Sequence, residues 1–442
     1  MSSLAQHSLW VFDGAQRVGT IHYASLDEQF SFAYEPSWLA ASGKYPLSPH
    51  FPLSDAKTAS ATIRRFLENL LPEGRALDVV STTHQVSKNN IFGLVRELGG
   101  ETSGALSFFD EGMVPDARQT IRREIPVEEL RNRIEERAQV PFAVWDGRVR
   151  MSIAGYQDKL PVYLKDNRFY LVEGALASTH ILKPEPLDKR LPGLVANEHF
   201  CMRLAARLGL RTAEVGIVRV PHPVLVVQRF DREAIEARVR RIHAVDACQA
   251  LDLPVAYKYE RNFGSGKDVR HIRDGVSFER LFSTAVAYTT QKALTRQALT
   301  RWAIFQYLIG NADAHGKNVS FFCSADGLNL APFYDMASVV QYDGLDHEFA
   351  MAYGDEFRLD NISPFAWADF AKRARLQRSF LAREMTRMAR AALEHAPRQA
   401  GEADYLGGEK ALVMRIANLV EAQARRLLDM VLPMREVDAA KL

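Results

Sequence analysis

The chain has 442 residues, 47% hydrophobic and 25% charged, a balance that excludes wholesale disorder, a collagen repeat and a coiled-coil rod. A formal net charge of +2 is too near neutral to announce a nucleic-acid protein by charge alone. Cys201, Cys248 and Cys323 are widely spaced and no CxxC or Cys/His pairing surrounds them, so neither a disulfide framework nor a zinc knuckle is expected; free thiols suit a reducing cytoplasm. The first residues, MSSLAQHSLWVFDG, lack the pattern of a signal peptide, and nowhere does a run of about 18 apolar residues predict a membrane span.

In chain order, LWVF and VGTIHY flank the turn pair Asp13-Gly14 and predict a hairpin over 9–23, and QFSFAY (29–34) alternates like another strand. IRRFLENLLPEG (63–74) and NIFGLVRELGG (90–100) read as helices, SGALSFF (103–109) as a strand, and polar MVPDARQT places a boundary near 112. RVRMSIAG, LPVYL, FYLV and THILK make 148–183 strand-like, with KDNR as a reversing turn. LVANEHFCMRLAARLGL follows as a helix with Cys201, Leu204, Ala205 and Leu208 on one face and Gly209 at its end. VGIVRV and VLVVQRF are strands joined at Pro221-His-Pro223; beyond about residue 244 helical pattern dominates, interrupted by a polar loop (257–276) and a hairpin (319–335). A β-rich lobe thus precedes a helical lobe.

The most informative segment is NADAHGKNVSFF (311–322), after an apolar helix in which Leu299, Trp302, Phe305 and Ile309 share a face and which Gly310 ends. VSFF pairs with LNLAPFYD across a turn, which carries Asp335 back beside Asn318. Phosphoryl transfer needs one carboxylate for the acceptor hydroxyl, and an amide oxygen plus a second carboxylate for Mg²⁺. Protein-kinase catalytic loops, H-R-D-x-x-x-x-N, separate Asp and Asn as Asp313 and Asn318 are separated here. Asp313 is then the base, Asn318 and Asp335 the metal ligands, and His315 stands where many kinases place a phosphate-facing lysine. The competing reading is a polar turn that caps its neighbours.

Lys183 ends an apolar strand and Glu198 lies on the following helix, the lysine–glutamate pair a kinase needs, although a solvated Lys and Glu look the same in sequence. In MSIAGYQDKL (151–160), Ala154-Gly155 between strands lets backbone N–H groups approach anionic oxygens, as does many an ordinary hairpin loop. Residues 371–392 predict one basic helix. Lys372, Arg383, Arg387 and Arg390 fall within roughly 60° of one another, opposite Leu381, Met385, Met388 and Ala392. Such a stripe suits phosphate contact with partner-bound DNA, or is a solvated face.

Together these segments resemble the HipA family of serine/threonine kinase toxins. The likeness rests on MSIAGYQDKL, THILKPE, NEHFCMRLA, VVQRFDR, DACQAL, KYE (258–260), NADAHGKN and FYDMAS, with LSPHFPL, NLLPEG and GGETSGALSF like that family's N-terminal subdomain. The resemblance implies ATP and Mg²⁺ as cofactors, Asp313 as base, Asn318 and Asp335 as Mg²⁺ ligands, and Lys183 on the phosphates. It aligns Ala154, Gly155, Tyr156, Gln157, Asp158 and Lys159 with the nucleotide loop, and Gln228, Arg229 and Phe230 with the adenine-side hinge. His315, Gly316, Lys317, Asn318, Tyr334 and Asp335 line the phosphates, and Ser152 matches the serine whose autophosphorylation disables the enzyme by displacing that loop. Gln228 departs from the family's acidic residue, and Tyr156 is bulkier than its usual small one.

The expected fold is α/β plus all-α, a two-lobed protein-kinase-like fold with an extra N-terminal α/β subdomain (1–112), a nucleotide-binding lobe (113–232) and a helical catalytic lobe (233–442). Expected partners are a HipB-like helix-turn-helix antitoxin, operator DNA reached through that antitoxin complex, and a translation-related protein substrate such as an aminoacyl-tRNA synthetase; no membrane is expected. Two alternatives use the same residues: a small-molecule phosphotransferase, and a non-catalytic corepressor in an antitoxin–DNA complex.

Overall fold

A computed structural model describes residues 6–115, 120–150, 157–174, 176–235 and 238–442. It divides into two compact units. The first holds the chain up to Pro184 with Val218–Val255 and Phe321–Ala331; the second holds Glu185–Ile217, Ala256–Ser320 and Pro332–Leu442.

The first unit begins with strands β1 (Gln6–Asp13), β2 (Gln16–Ala24) and β3 (Gln29–Tyr34), followed by helices α1 (Pro36–Ala40), α2 (Ser60–Glu68), α3 (Gly74–His84) and α4 (Ile91–Leu98). Strand β4 (Leu106–Asp110) returns beside β1, giving the sheet order β3-β2-β1-β4. Alternation along β1 puts Leu9 and Val11 inside with no exposure, and Ile63 and Leu67 of α2 and Leu94 of α4 are equally buried. A six-stranded sheet follows, β11-β12-β10-β8-β9-β5, from β5 (Ile121–Ile125), β8 (Leu160–Lys165), β9 (Arg168–Glu173), β10 (His180–Pro184), β11 (Val215–Val220) and β12 (His222–Gln228). Asp166 and Asn167 turn β8 into β9 with φ of 50° and 59°, the paired left-handed conformation a tight hairpin demands. Helix α5 (Val127–Glu135) and the short strands β6 (Val144–Trp145) and β7 (Arg148–Val149) contribute Leu130, Ile134 and Trp145 to the core of Leu160, Val162, Leu182 and Val224. Neither β5 nor α5 stands out in the sequence. A hairpin of β13 (Arg232–Ile235) and β14 (Arg238–Arg241) is likewise unforeseen; β15 (Ala244–Asp246), β16 (Ser320–Ser324) and β17 (Gly327–Leu330) form a small sheet, beside the one-turn helix α7 (Ala247–Ala250).

The second unit is built from α6 (Leu194–Arg207), the single-turn α8 (Phe278–Arg280), α9 (Lys292–Ile309), α10 (Pro364–Arg373), α11 (Arg378–Ala400) and α12 (Gly408–Glu436), with one hairpin of β18 (Glu348–Tyr353) and β19 (Glu356–Arg358). Its centre is aromatic. Trp302, Tyr307, Tyr353 and Trp367 are fully buried, and Tyr353 meets Trp367 at 4.9 Å and 65° while its hydroxyl donates to the Ala303 carbonyl at 2.6 Å. The predicted face of Leu299, Trp302, Phe305 and Ile309 is wholly buried.

The single basic helix expected over 371–392 is two helices. α10 ends at Arg373, and Arg375 adopts φ +53° before α11 begins at Arg378. Lys372 is therefore on a different element from Arg383, Arg387 and Arg390, and its ammonium donates to the Leu442 main-chain oxygen. Leu381, Met385, Met388 and Ala392 are fully buried, as their spacing requires.

Candidate active site

Helix α9 delivers the site. Its 18 residues end at Gly310, whose φ of +62° takes the left-handed C-terminal position that glycine occupies at least cost. The chain then turns through 311–318 on a backbone almost entirely buried: Asn311, His315, Lys317 and Asn318 are each less than a tenth exposed, while the Asp313 carboxylate projects outward. Neighbouring segments brace this loop at several points. The Gly316 N–H donates to the Lys258 carbonyl at 2.9 Å, and the Ala350 N–H to the Ala312 carbonyl at 3.0 Å. A Cβ on Gly316 would lie 2.5 Å from Val276, so close packing fixes glycine there.

Asn318 joins two parts of the site. Its Oδ1 accepts from the His315 N–H at 3.1 Å, and its Nδ2 donates to Asp335 Oδ2 at 3.1 Å. The hairpin return read from the sequence thus brings Asp335 to Asn318; Asp335 sits at φ +58° with its carboxylate exposed. Beside it, the Tyr334 hydroxyl lies 2.7 Å from Ser320 Oγ and donates to the Lys317 carbonyl.

His315 is buried. Burial first, then the nearby Lys258 and Lys317, push its imidazole down to about 3, against the pull of Asp335. It is a neutral group near pH 7 and does not replace a lysine's charge. Its Nδ1 has no hydrogen-bond partner among the described residues, the kind of orphaned polar atom a bound anion satisfies.

Tyr259 completes the loop's surroundings and was not foreseen as a site residue. Its hydroxyl donates to Asp313 Oδ1 at 2.5 Å, and its ring meets His315 edge-on at 5.1 Å and 89°. The signal lay in KYE, a motif of the resemblance to which the sequence attaches no role.

The remaining expected residues belong to both units. Lys183, buried on β10 opposite Leu225 of β12, is in the first unit, and buried Glu198 of α6 is in the second. Gln157 donates to the Pro184 carbonyl at 3.3 Å, Lys159 is buried, and burial raises the Asp158 carboxyl against the pull of Arg75 and Arg137. Ser152, Ala154, Gly155 and Tyr156 lie outside the described residues. Gln228 is exposed at the end of β12, and Phe230 meets Phe322 at 5.9 Å.

Arg229 is different. Its guanidinium holds Asp231 through two bonds, Nε–Oδ1 at 3.0 Å and Nη2–Oδ2 at 2.8 Å, and reaches Ser178 Oγ at 3.0 Å and Thr102 O at 3.2 Å. Arg232 joins Asp231 at 2.9 Å and Gly104 O at 2.8 Å, and Glu101 accepts from the Ser178 N–H at 2.8 Å. Burial alone would raise the Asp231 carboxyl; Arg229 and then Arg232 hold it well below the usual carboxylate range. The Arg229 side chain, expected at the nucleotide, is thus committed to clamping loop 101–104.

Of the expected cationic stripe, Arg383, Arg387 and Arg390 are exposed on α11. Arg387 bonds buried Glu384 at 3.1 Å and the Leu208 carbonyl at 3.1 Å, while Arg301 holds the same Glu384 at 2.8 Å. The stripe is shorter and less positive than its sequence.

An Asp, an Asn and a second Asp on a braced loop and its hairpin return, in a chain whose other unit is α/β with a buried strand lysine, define a protein-kinase-like enzyme. Residues 9–109 match the model of the HipA N-terminal domain, and residues 151–398 that of the HipA-like C-terminal domain. The chain is 42% identical over 394 residues to the serine/threonine-protein kinase toxin HipA of Shewanella oneidensis, covering 88% of each chain. It is 33% identical over 403 residues to the putative kinase Y4mE of Sinorhizobium fredii, covering 89% of this chain and 92% of that one. A solved complex of Shewanella oneidensis MR-1 HipA with HipB and operator DNA superposes with a TM-score of 0.88 at 39% identity, over 98% of this chain and 100% of that one. The chain belongs to the HipA family of serine/threonine protein kinases.

Proposed function

We propose that the chain transfers the γ-phosphoryl group of ATP, with Mg²⁺, to a serine or threonine hydroxyl of a protein, as the toxin of a HipA/HipB-like toxin–antitoxin module. The observation that carries this reading is the 3.1 Å contact of Asn318 with Asp335 beside the outward Asp313 carboxylate. As the acceptor oxygen bonds to the γ-phosphorus, the bond to the β–γ bridging oxygen breaks, ADP leaves, and the hydroxyl proton passes to Asp313. Neutral His315 donates to a phosphate oxygen, and Lys183 supplies positive charge from the strand.

Asn318 and Asp335 would hold the metal. Both offer the hard oxygen donors that an ion shared with nucleotide phosphates takes. When bound, Mg²⁺ neutralises phosphate charge.

The similar Shewanella protein is named a kinase toxin and was solved with HipB and operator DNA. On that likeness the partner is a HipB-like helix-turn-helix antitoxin, with operator DNA reached through it. The substrate is a translation-related protein such as an aminoacyl-tRNA synthetase, and phosphorylation of Ser152, adding about −1.5 to −2 charge beside the nucleotide loop, shuts the enzyme off. Three buried free cysteines suit the cytoplasm, and no helix among the described residues is long and apolar enough to cross a membrane. The test incubates the protein and labelled ATP with a whole-proteome extract or a metabolite pool. Label on protein supports the reading; label only on small molecules overturns it.

A further inference from the structure

The segment Lys258–Glu260 is bolted to the catalytic loop and its neighbours from three sides. The Lys258 carbonyl accepts from Gly316, and the Glu260 N–H donates to Ala350 O at 2.9 Å, whose own N–H reaches Ala312 O. Buried Glu260 accepts from the Ala352 N–H at 2.8 Å and from Arg273 Nε at 2.7 Å. Gly275 packs so tightly on the far side that a Cβ there would sit 1.8 Å from the Tyr259 carbonyl. Backbone on both sides of the Tyr259 side chain is therefore fixed against the loop that carries Asp313. The ring is further located by its edge-on contact with buried His315. A hydroxyl so placed donates to Asp313 Oδ1 at 2.5 Å.

We infer that Tyr259 is a positioning residue for phosphoryl transfer: by holding Oδ1, it fixes the rotamer of the exposed Asp313 carboxylate and aims Oδ2 at the acceptor hydroxyl. This rests on the reading of Asp313 as the base. An exposed carboxylate has broad torsional freedom about its last bond, and a base must meet its proton within hydrogen-bond reach. Buried Glu260 and its arginine serve as the anchor, so the Lys-Tyr-Glu motif is an anchor and a pointer in adjacent positions.

The experiment uses the full chain as wild type, Tyr259→Phe, Asp313→Asn and the double variant. Initial rates of phosphate transfer from labelled ATP to a proteome extract, taken before self-phosphorylation accumulates, give kcat and the KM for ATP; a fluorescent ATP analogue and thermal melting check folding. Tyr259→Phe keeps the ring against His315 and removes only the hydroxyl. The expected result is a fall in kcat of about 10- to 100-fold with the KM for ATP within about twofold of wild type. On an Asp313→Asn background with measurable residual rate, Tyr259→Phe should cost little further, because the base whose oxygen it would aim is gone. Tyr259→His, which keeps a ring N–H donor, should recover part of the rate, and it replaces the Phe variant should that one melt early. An unchanged kcat, a change confined to KM, or the same loss in both backgrounds overturns the inference. Wild-type rates from Asp313→Asn, or no transfer by the wild type, instead overturn the assignment on which it rests.

Discussion

Within the second unit, 311–318 and 372–390 both carry charged side chains, but on different foundations. In the first, a buried backbone is hydrogen-bonded to neighbouring segments, and Asp313 takes its direction from that frame and from Tyr259. In the second, Arg383, Arg387 and Arg390 are exposed on one helix, Arg387 while bonded to Glu384, and Lys372 sits on another. A charge held in place before the reaction is worth several kcal/mol of a barrier, whereas a solvated charge contributes under about 1 kcal/mol to anything it touches. The number of charges in a stretch therefore says little; what its backbone is tied to says more.

Substitutions should respect that ranking. Asp313→Asn is expected to cut transfer by at least about 100-fold while nucleotide binding, read by titration with an ATP analogue, stays near wild type, because the amide keeps the shape and loses the proton acceptor. Asp335→Asn is expected to weaken nucleotide affinity about 10-fold or more in Mg²⁺ and little in its absence, since a charged ligand oxygen is lost; equal affinities with Mg²⁺ would remove Asp335 from the metal site. In the basic stretch the largest effect belongs to its single acid. Glu384→Ala strands Arg301 and Arg387 and should lower stability by about 1–3 kcal/mol in chemical denaturation, with kcat unchanged.

Acid should act on both units through buried histidines. Burial pushes His243, in the first unit, and His199, in the second, down to about 4. Unfolded chains protonate these groups at about 6.5, so the folded state binds fewer protons below that pH. Stability is full above pH 6.5 and falls toward pH 4, by up to about 1.4 kcal/mol per pH unit for each histidine. His243→Gln should flatten the fall measured on the first unit; an unchanged slope would remove His243 from the account.

The smallest effect is expected from Arg383→Ala with Arg390→Ala. If the antitoxin complex brings operator DNA to this face, the salt slope of ternary binding becomes shallower by at most about 2. A steeper loss would restore the long stripe that the break at Arg375 interrupts.

These contrasts also mark what sequence carries. The Asp166-Asn167 turn, the Gly310 terminus and the 3.6-residue face of α9 are local signals, and each appears as read, while the first hairpin turns one residue later than Asp13-Gly14, at Gly14-Ala15. The return of Asp335 to Asn318 was legible because one short hairpin separates them. The break between α10 and α11 was not, since no Gly or Pro marks it and a lone Arg375 takes the left-handed turn. Nor was the fate of Arg229, whose acidic neighbour Glu101 is 128 residues away, or of Tyr259, 54 residues from Asp313. Contacts at such separations are set by packing of whole elements, which periodicity does not encode.

The proposed function has loop 311–318 transfer phosphate. Its most direct test is the intact mass of the purified chain after incubation with ATP, with and without Mg²⁺, for wild type and Asp313→Asn side by side. An added phosphate is expected on the wild type only when Mg²⁺ is present, mapped to Ser152, and none on Asp313→Asn. Phosphate added equally to both proteins, or to neither, would contradict it.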